Sequence, residues 1–212
     1  MHKLLSTSEI ITKVARGTYQ LTRFLEDSPG NLSIDQSQNT VEDSQHPGRR
    51  LREEDFYASF AEWLLENEEA NEATALGGSL LRGKWGTPDI IGVMRARAND
   101  ILKFPTQIVT AEVKIDPFQT VTALGQALAY RLFSHRTFVV LPNSVSEDDR
   151  ARLKALCSLH GIGLVLFELN VDAPNFTLMI PPALAEPDMF YTNQMARRLS
   201  EIAPDHFNRF FS

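Results

Sequence analysis

From Leu51 onward the chain switches repeatedly between two hydrophobic periods, and the switches lay out an α/β domain. Phe56, Phe60, Trp63 and Leu64 recur at steps of three and four, so the pattern from Leu51 to Ala75 predicts a helix. Gly77-Gly78 is its expected stop, and Ser79 to Leu81 the expected short strand after it. Ile90 to Arg95 and Gln107 to Ile115 read as strands, with a turn at Asn99-Asp100 between them. In the second strand Val109, Ala111, Val113 and Ile115 share one face, which leaves Glu112 and Lys114 together on the other. Thr120 to Phe133 predicts a helix and Thr137 to Leu141 a strand. A helix capped at Ser146 should run to His160, followed by strands over Gly163 to Leu169 and Phe176 to Ile180. Pro187 to Phe211 reads as one or two amphipathic helices.

This alternation predicts a central mixed β-sheet flanked by α-helices. A short connection joins the first two strands, whereas helical crossovers join the later ones, hence the mixture. Before Leu51 the pattern is different. Residues 9 to 24 suggest two short strands around Arg16-Gly17, where the glycine suits a tight hairpin. The stretch 27–50 is rich in Ser, Asp, Asn, Gln, Pro and Gly, with only Leu32, Ile34 and Val41 available for burial. It reads as a polar linker. The expected organisation is therefore a hairpin at 1–26, a linker at 27–50 and one domain at 51–212.

Composition narrows the function classes. A chain of 212 residues that is 43% hydrophobic can build one sizeable core. No apolar run approaches the roughly 18 residues of a membrane span, so no membrane partner is expected. Met1-His2-Lys3-Leu4-Leu5 does not open a long apolar stretch, and a cytoplasmic protein is the simple expectation. Cys157 is the single cysteine, which excludes an internal disulfide and a cysteine zinc site. The net charge of −6 does not mark a nucleic-acid binder, yet a bound cation can meet a phosphate whatever the charge of the chain. Basic residues need only be local, as at Arg49, Arg50 and Arg52, or at Arg82, Lys84, Arg95 and Arg97.

The chemistry concentrates at the ends of the two central strands. Asp89 opens one and Glu112 closes the other, so their carboxylates should converge. Mg²⁺ is a hard cation that keeps several waters, so one or two carboxylates suffice to hold it. The carbonyl of Val113 is a further candidate ligand, and Glu53 a direct or water-mediated one. A carboxyl separation beyond about 8 Å would exclude a shared ion. Lys114 has two candidate roles: to orient or deprotonate an attacking water, or to neutralise phosphoryl oxygens. Partial burial beside a metal would lower its pKa and favour the first. Gln126 and Tyr130 lie four apart and share a face of the next helix. Each feature also has a plain reading. Pro-Asp is a common turn pair, E-x-K can be a solvated strand face, Glu53 can cap a helix, and Gln126 and Tyr130 can edge the core.

Pro88-Asp89 with Glu112-Val113-Lys114, and Glu53 on the preceding helix, resemble the PD-(D/E)xK nuclease superfamily over roughly residues 51 to 170. Gln126 and Tyr130 resemble the Q-x-x-x-Y signature of its RecB-type and lambda-exonuclease-type branch, where that helix lies beside the active site. The resemblance implies a restriction-endonuclease-like core: a helix, a three-strand antiparallel meander, a helix and a further strand. It implies Mg²⁺, with Mn²⁺ able to substitute, and hydrolysis of DNA phosphodiesters leaving a 5′-phosphate. It makes Asp89, Glu112 and Lys114 the catalytic set, endonuclease action the better expectation than exonuclease action, and a homodimer cutting both strands a natural form. Residues 9 to 24 resemble the wing hairpin of a winged-helix module, with a plain hairpin as the alternative.

Two further classes stay open. One is a nucleic-acid-binding or regulatory protein on the same fold without turnover, which the acidic net charge favours. The other is an interaction protein whose C-terminal helices, with Met189, Phe190, Tyr191, Phe207, Phe210 and Phe211, mediate dimerisation. Cys157 and His160 sit three apart on a predicted helix, but no third group completes a thiol–imidazole site. Trp85 beside Lys84 suits either base stacking or the core.

Overall fold

The apolar runs after Leu51 become strands of one six-stranded sheet in a computed structural model, which describes residues 11–15, 18–21, 50–77, 80–81 and 87–211. The chain divides into two units, 1–38 and 39–212. The first contains an antiparallel hairpin of β1 (Ile11–Ala15) and β2 (Thr18–Leu21), with Ile11 opposite Leu21. Of the expected linker only Arg50 is among the described residues, and Arg49, Gly78, Ser79, Arg82, Lys84 and Trp85 also lie outside them.

The second unit begins with a 3₁₀ turn, Glu53–Phe56, that runs directly into α1, Tyr57–Glu66. Then follow β3 (Glu72–Ala75), β4 (Ile90–Met94), β5 (Gln107–Val113), α2 (Thr120–Tyr130), β6 (Arg136–Pro142), α3 (Glu147–His160), β7 (Gly163–Phe167) and β8 (Thr177–Ile180). Two helices, α4 (Met189–Ile202) and α5 (Pro204–Phe211), end the chain. Strand order in the sheet is the sequence order. β3, β4 and β5 form an antiparallel meander. β5, β6 and β7 run parallel through the crossovers α2 and α3, and β8 returns antiparallel at the edge. The mixed sheet is thus as the sequence predicts.

Strand alternation sends successive side chains to opposite faces, and each face has its own cover. Phe56, Phe60 and Leu64 pack on Ile90, Val109, Ala111, Val113 and Phe138 on one side. These three helix-borne side chains are fully buried, each contributing about 1.5–3 kcal/mol of apolar transfer. On the other side Ala123 and Ala127 of α2, with Leu153 and Cys157 of α3, meet Val139, Leu141 and Leu164. Met195, Leu199 and Phe210 of the tail helices cover Ile91, Val93 and Ile108.

The structure corrects three expectations. The helical pattern ends at Glu66, and Glu72–Ala75 is a strand instead. Its partner supplies the reason: a Cβ on Gly92 would lie 2.6 Å from the Glu72 carbonyl, so only glycine lets the two backbones approach. Gly77, at φ +74°, therefore follows a strand, and Leu80 and Leu81 lie in a turn. Lastly, half of the six tail residues expected at a dimer face are committed to packing. Phe210 is fully buried, with Phe207 and Phe211 against the same cluster, which leaves Met189, Phe190 and Tyr191 exposed. Among the described residues no helix is long and apolar enough to cross a membrane.

Candidate active site

Antiparallel pairing sets the start of β4 beside the end of β5. Ile90 pairs with Ala111, and the Asp89 amide donates to the Ala111 carbonyl at 3.1 Å, so Asp89 stands opposite Glu112. Cβ atoms so opposed are about 5 Å apart, near enough for one cation to reach both side chains. Both residues are almost completely buried, at 2% and 1% exposure.

Every carboxylate oxygen of this pair has a donor. Asp89 Oδ1 accepts from the Tyr57 hydroxyl at 2.6 Å, and Oδ2 from the Val113 amide at 2.8 Å. Glu112 Oε2 accepts from the Tyr130 hydroxyl at 2.6 Å. Glu112 Oε1 lies 2.8 Å from the Lys114 ammonium. That ammonium also lies 3.0 Å from Glu53 Oε2 and 3.2 Å from the Val113 carbonyl. It thus touches three of the four groups proposed as metal ligands. The Lys114 amide donates to the Val140 carbonyl at 3.0 Å, which fixes the backbone from which the side chain reaches.

α2 supplies the support beneath Glu112. The Tyr130 ring is buried in full, and its hydroxyl lies 3.1 Å from the Thr87 carbonyl. Gln126, one turn earlier, acts on the same hydroxyl and opposes the rise in its pKa. Tyr130 therefore belongs both to the core and to the site. All seven residues singled out in the sequence meet here: Glu53, Asp89, Glu112, Val113, Lys114, Gln126 and Tyr130. Two were missed, Tyr57 and Thr87. Tyr57 was findable, since it lies four after Glu53 and three before Phe60 on the same helical stripe.

The electrostatics follow from crowding three carboxylates around one ammonium. Burial, then the charge of Asp89, pushes Glu112 up to about 7 against the opposing pull of Lys114 and Tyr130. Burial also raises Asp89 and Glu53, despite the donors each one has. For Lys114, burial pulls the pKa down, but Glu112, Glu53 and Asp89 together prevail and raise it. The lowered lysine expected from burial alone is thus reversed by its acidic neighbours. Tyr57 and Tyr130 are raised far above the ordinary phenol, through burial and the adjacent carboxylates, and remain donors.

When all three carboxylates are ionised, the cluster carries two more negative charges than positive ones. Its donor set is purely oxygen, the kind a hard dication takes. The oxygens that the sequence reading offers to one are those of Asp89, Glu112 and Glu53, with the Val113 carbonyl. Among the described residues no group of three or more His, Cys, Asp or Glu that could hold a metal ion is found. Lys114, placed among these oxygens, supplies the local positive charge.

Cys157 is buried, and burial pushes its thiol up to about 11, so it offers no thiolate near neutrality. His135 Nδ1 accepts from the Ile108 amide at 3.0 Å and ties the turn after α2 to β5. Comparison of the chain with protein-family models, with curated proteins and with solved structures gives no match in any of the three.

Proposed function

We propose that this chain is a Mg²⁺-dependent nuclease that hydrolyses phosphodiester bonds in DNA, an endonuclease rather than an exonuclease. Its core is read as restriction-endonuclease-like, supported by the order α1, the β3–β5 meander, α2 and β6. One observation carries the reading: a cluster of three carboxylates and one lysine at the ends of two central strands, with Asp89, Glu112 and Lys114 buried and Glu53 partly so. A surplus of buried negative charge is costly unless a cation answers it.

Asp89, Glu112 and the Val113 carbonyl would hold the cation, with Glu53 bound directly or through water, and Mn²⁺ could replace Mg²⁺. When bound, the ion supplies a Lewis acid for a phosphoryl oxygen and a water of lowered pKa. Tyr57 and Tyr130 keep Asp89 and Glu112 in place by donating to one oxygen of each. Gln126 steadies Tyr130 in turn. The raised pKa of Lys114 keeps it an ammonium, which makes it a poor base. Its role is then to orient the attacking water and neutralise the phosphoryl oxygens.

A second reading is a binding or regulatory protein on the same fold without turnover. It is favoured by the completeness of the hydrogen bonding, since Asp89 and Glu112 are satisfied by protein donors alone. Plasmid and linear DNA incubated with Mg²⁺ separate the two. The nuclease reading expects cleavage lost with EDTA and lost in Lys114→Ala. Cleavage that survives both sinks it, while a saturable Mg²⁺ site without cleavage selects the second reading.

A further inference from the structure

We propose that α4 is a stacking ridge for single-stranded nucleic acid, with Phe190 and Tyr191 each receiving a base. The inference names the substrate class of the nuclease reading and rests on that reading for the fate of the bound strand. It starts from a doubled pattern. Phe190, Asn193, Gln194 and Arg197 fall at i, i+3, i+4 and i+7, and Tyr191, Gln194, Met195 and Arg198 repeat that spacing one residue on. Helical geometry sets each quartet on one strip of surface.

The structure opens a cavity along each strip. One of about 390 Å³ is lined by Phe190, Asn193, Gln194 and Arg197. The other, of about 340 Å³, is lined by Tyr191, Gln194, Met195 and Arg198, with Phe133 from the turn after α2. Both volumes fall within the range of ligand pockets. Each cavity therefore offers an aromatic ring, an amide and a guanidinium, and Gln194 borders both. Phe190 is 69% exposed and Tyr191 42%, a large apolar outlay at a surface unless a flat partner covers it. The two rings are 5.3 Å apart and nearly perpendicular, an edge-to-face pair, and both rings keep exposed surface.

Charge selects the partner. The chain carries −6 overall, and α4 has Asp188 at its cap and Glu201 in its last turn, yet the charged side chains that line the two cavities are Arg197 and Arg198. An anionic chain with flat apolar faces suits that strip, and bases stack on aromatic rings irrespective of sequence. Duplex DNA hides those faces, so a single strand is the better fit. The ridge is also tied to the site. The second cavity is bounded by Ala129 and Phe133, which flank Tyr130, and by Leu81, whose amide donates to Thr87 Oγ at 2.9 Å. Thr87 and Tyr130 both lie in the support beneath Glu112.

The test is fluorescence anisotropy of the full chain with a labelled oligo(dT) of about 12 nucleotides, in EDTA so that no turnover is needed. Failure of the nuclease reading leaves this measurement intact. Expected is tighter binding of the single strand than of a duplex of equal length. Phe190→Ala and Tyr191→Ala should each weaken binding about ten-fold, and Tyr191→Phe should not. Arg197→Ala should lower the slope of log affinity against log salt by about 0.7. Unfolding temperatures of the variants guard against misfolding. Absent binding, a preference for duplex, or wild-type affinity in Phe190→Ala/Tyr191→Ala overturns the proposal. So does a double variant that turns a dimer into a monomer while each chain keeps its affinity, for the face would then pair copies of the protein.

Discussion

Replacing Glu112 with glutamine isolates the electrostatic burden of the site. Glu112 has an ordinary value of 4.5 and is pushed up to about 7, by burial first and the Asp89 charge second. The folded protein therefore prefers the neutral acid. That preference is fully present below about pH 4.5 and is lost as pH rises through about 7, amounting to about 3 kcal/mol. Asp89 and Glu53 are also raised, so their contributions carry the same sign. Lys114 is raised from 10.5 and stays charged throughout this window. Glutamine at 112 keeps an acceptor for Tyr130 and cannot titrate, while Lys114 keeps Glu53 at 3.0 Å. Urea unfolding in EDTA, at about pH 5 and about pH 8, gives the stability change of each protein. Wild type should lose about 2.5 kcal/mol more than Glu112→Gln between those values. Equal losses, or a wild type that gains on the variant, would refute the buried-charge account.

Three other outcomes follow from the same contacts. Tyr57→Phe leaves Asp89 Oδ1 without its donor at 2.6 Å, and should cost about 1–3 kcal/mol by denaturant titration. Gly92→Ala drives a methyl to 2.6 Å from the Glu72 carbonyl, and should lower the unfolding temperature by loosening β3, at about 1–3 kcal/mol. Mg²⁺ at about a hundred times its Kd should stabilise the wild type by about 2.7 kcal/mol at pH 8 and less at pH 5, because protons compete for the raised carboxyls. Asp89→Asn should abolish that increment in calorimetry, and an undiminished increment would remove Asp89 from the ligand set.

Much of this arrangement was legible because local pattern and tertiary environment agree. The three-and-four spacing of Phe56, Phe60, Trp63 and Leu64 predicted α1, and the period of two in β5 put Val109, Ala111 and Val113 on one face. The chemistry of Asp89, Glu112 and Lys114 stood out because charged groups ended otherwise apolar runs. What escaped depended on distant partners. Glu72-Ala-Thr-Ala75 contains good helix formers, and its strand state is decided by Gly92, twenty positions away. The direction of the Lys114 shift needs the sum over Glu112, Glu53 and Asp89, which come from three different elements. Phe210 and Phe190 look alike in sequence, and only the docking of α5 on β4 and β5 buries the one and not the other.

The bond from the Val113 amide to Asp89 Oδ2 makes one backbone hydrogen a reporter. The next amide, that of Lys114, donates to the Val140 carbonyl, which does not change with pH or ligand. The Val113 amide instead donates to a group that can be protonated or bound. Its exchange with solvent deuterium, and its proton chemical shift, should therefore follow the state of Asp89 directly, without a label and without a substrate. A probe of occupancy is thus written into the main chain of β5, readable in the same spectrum as the rest of the fold.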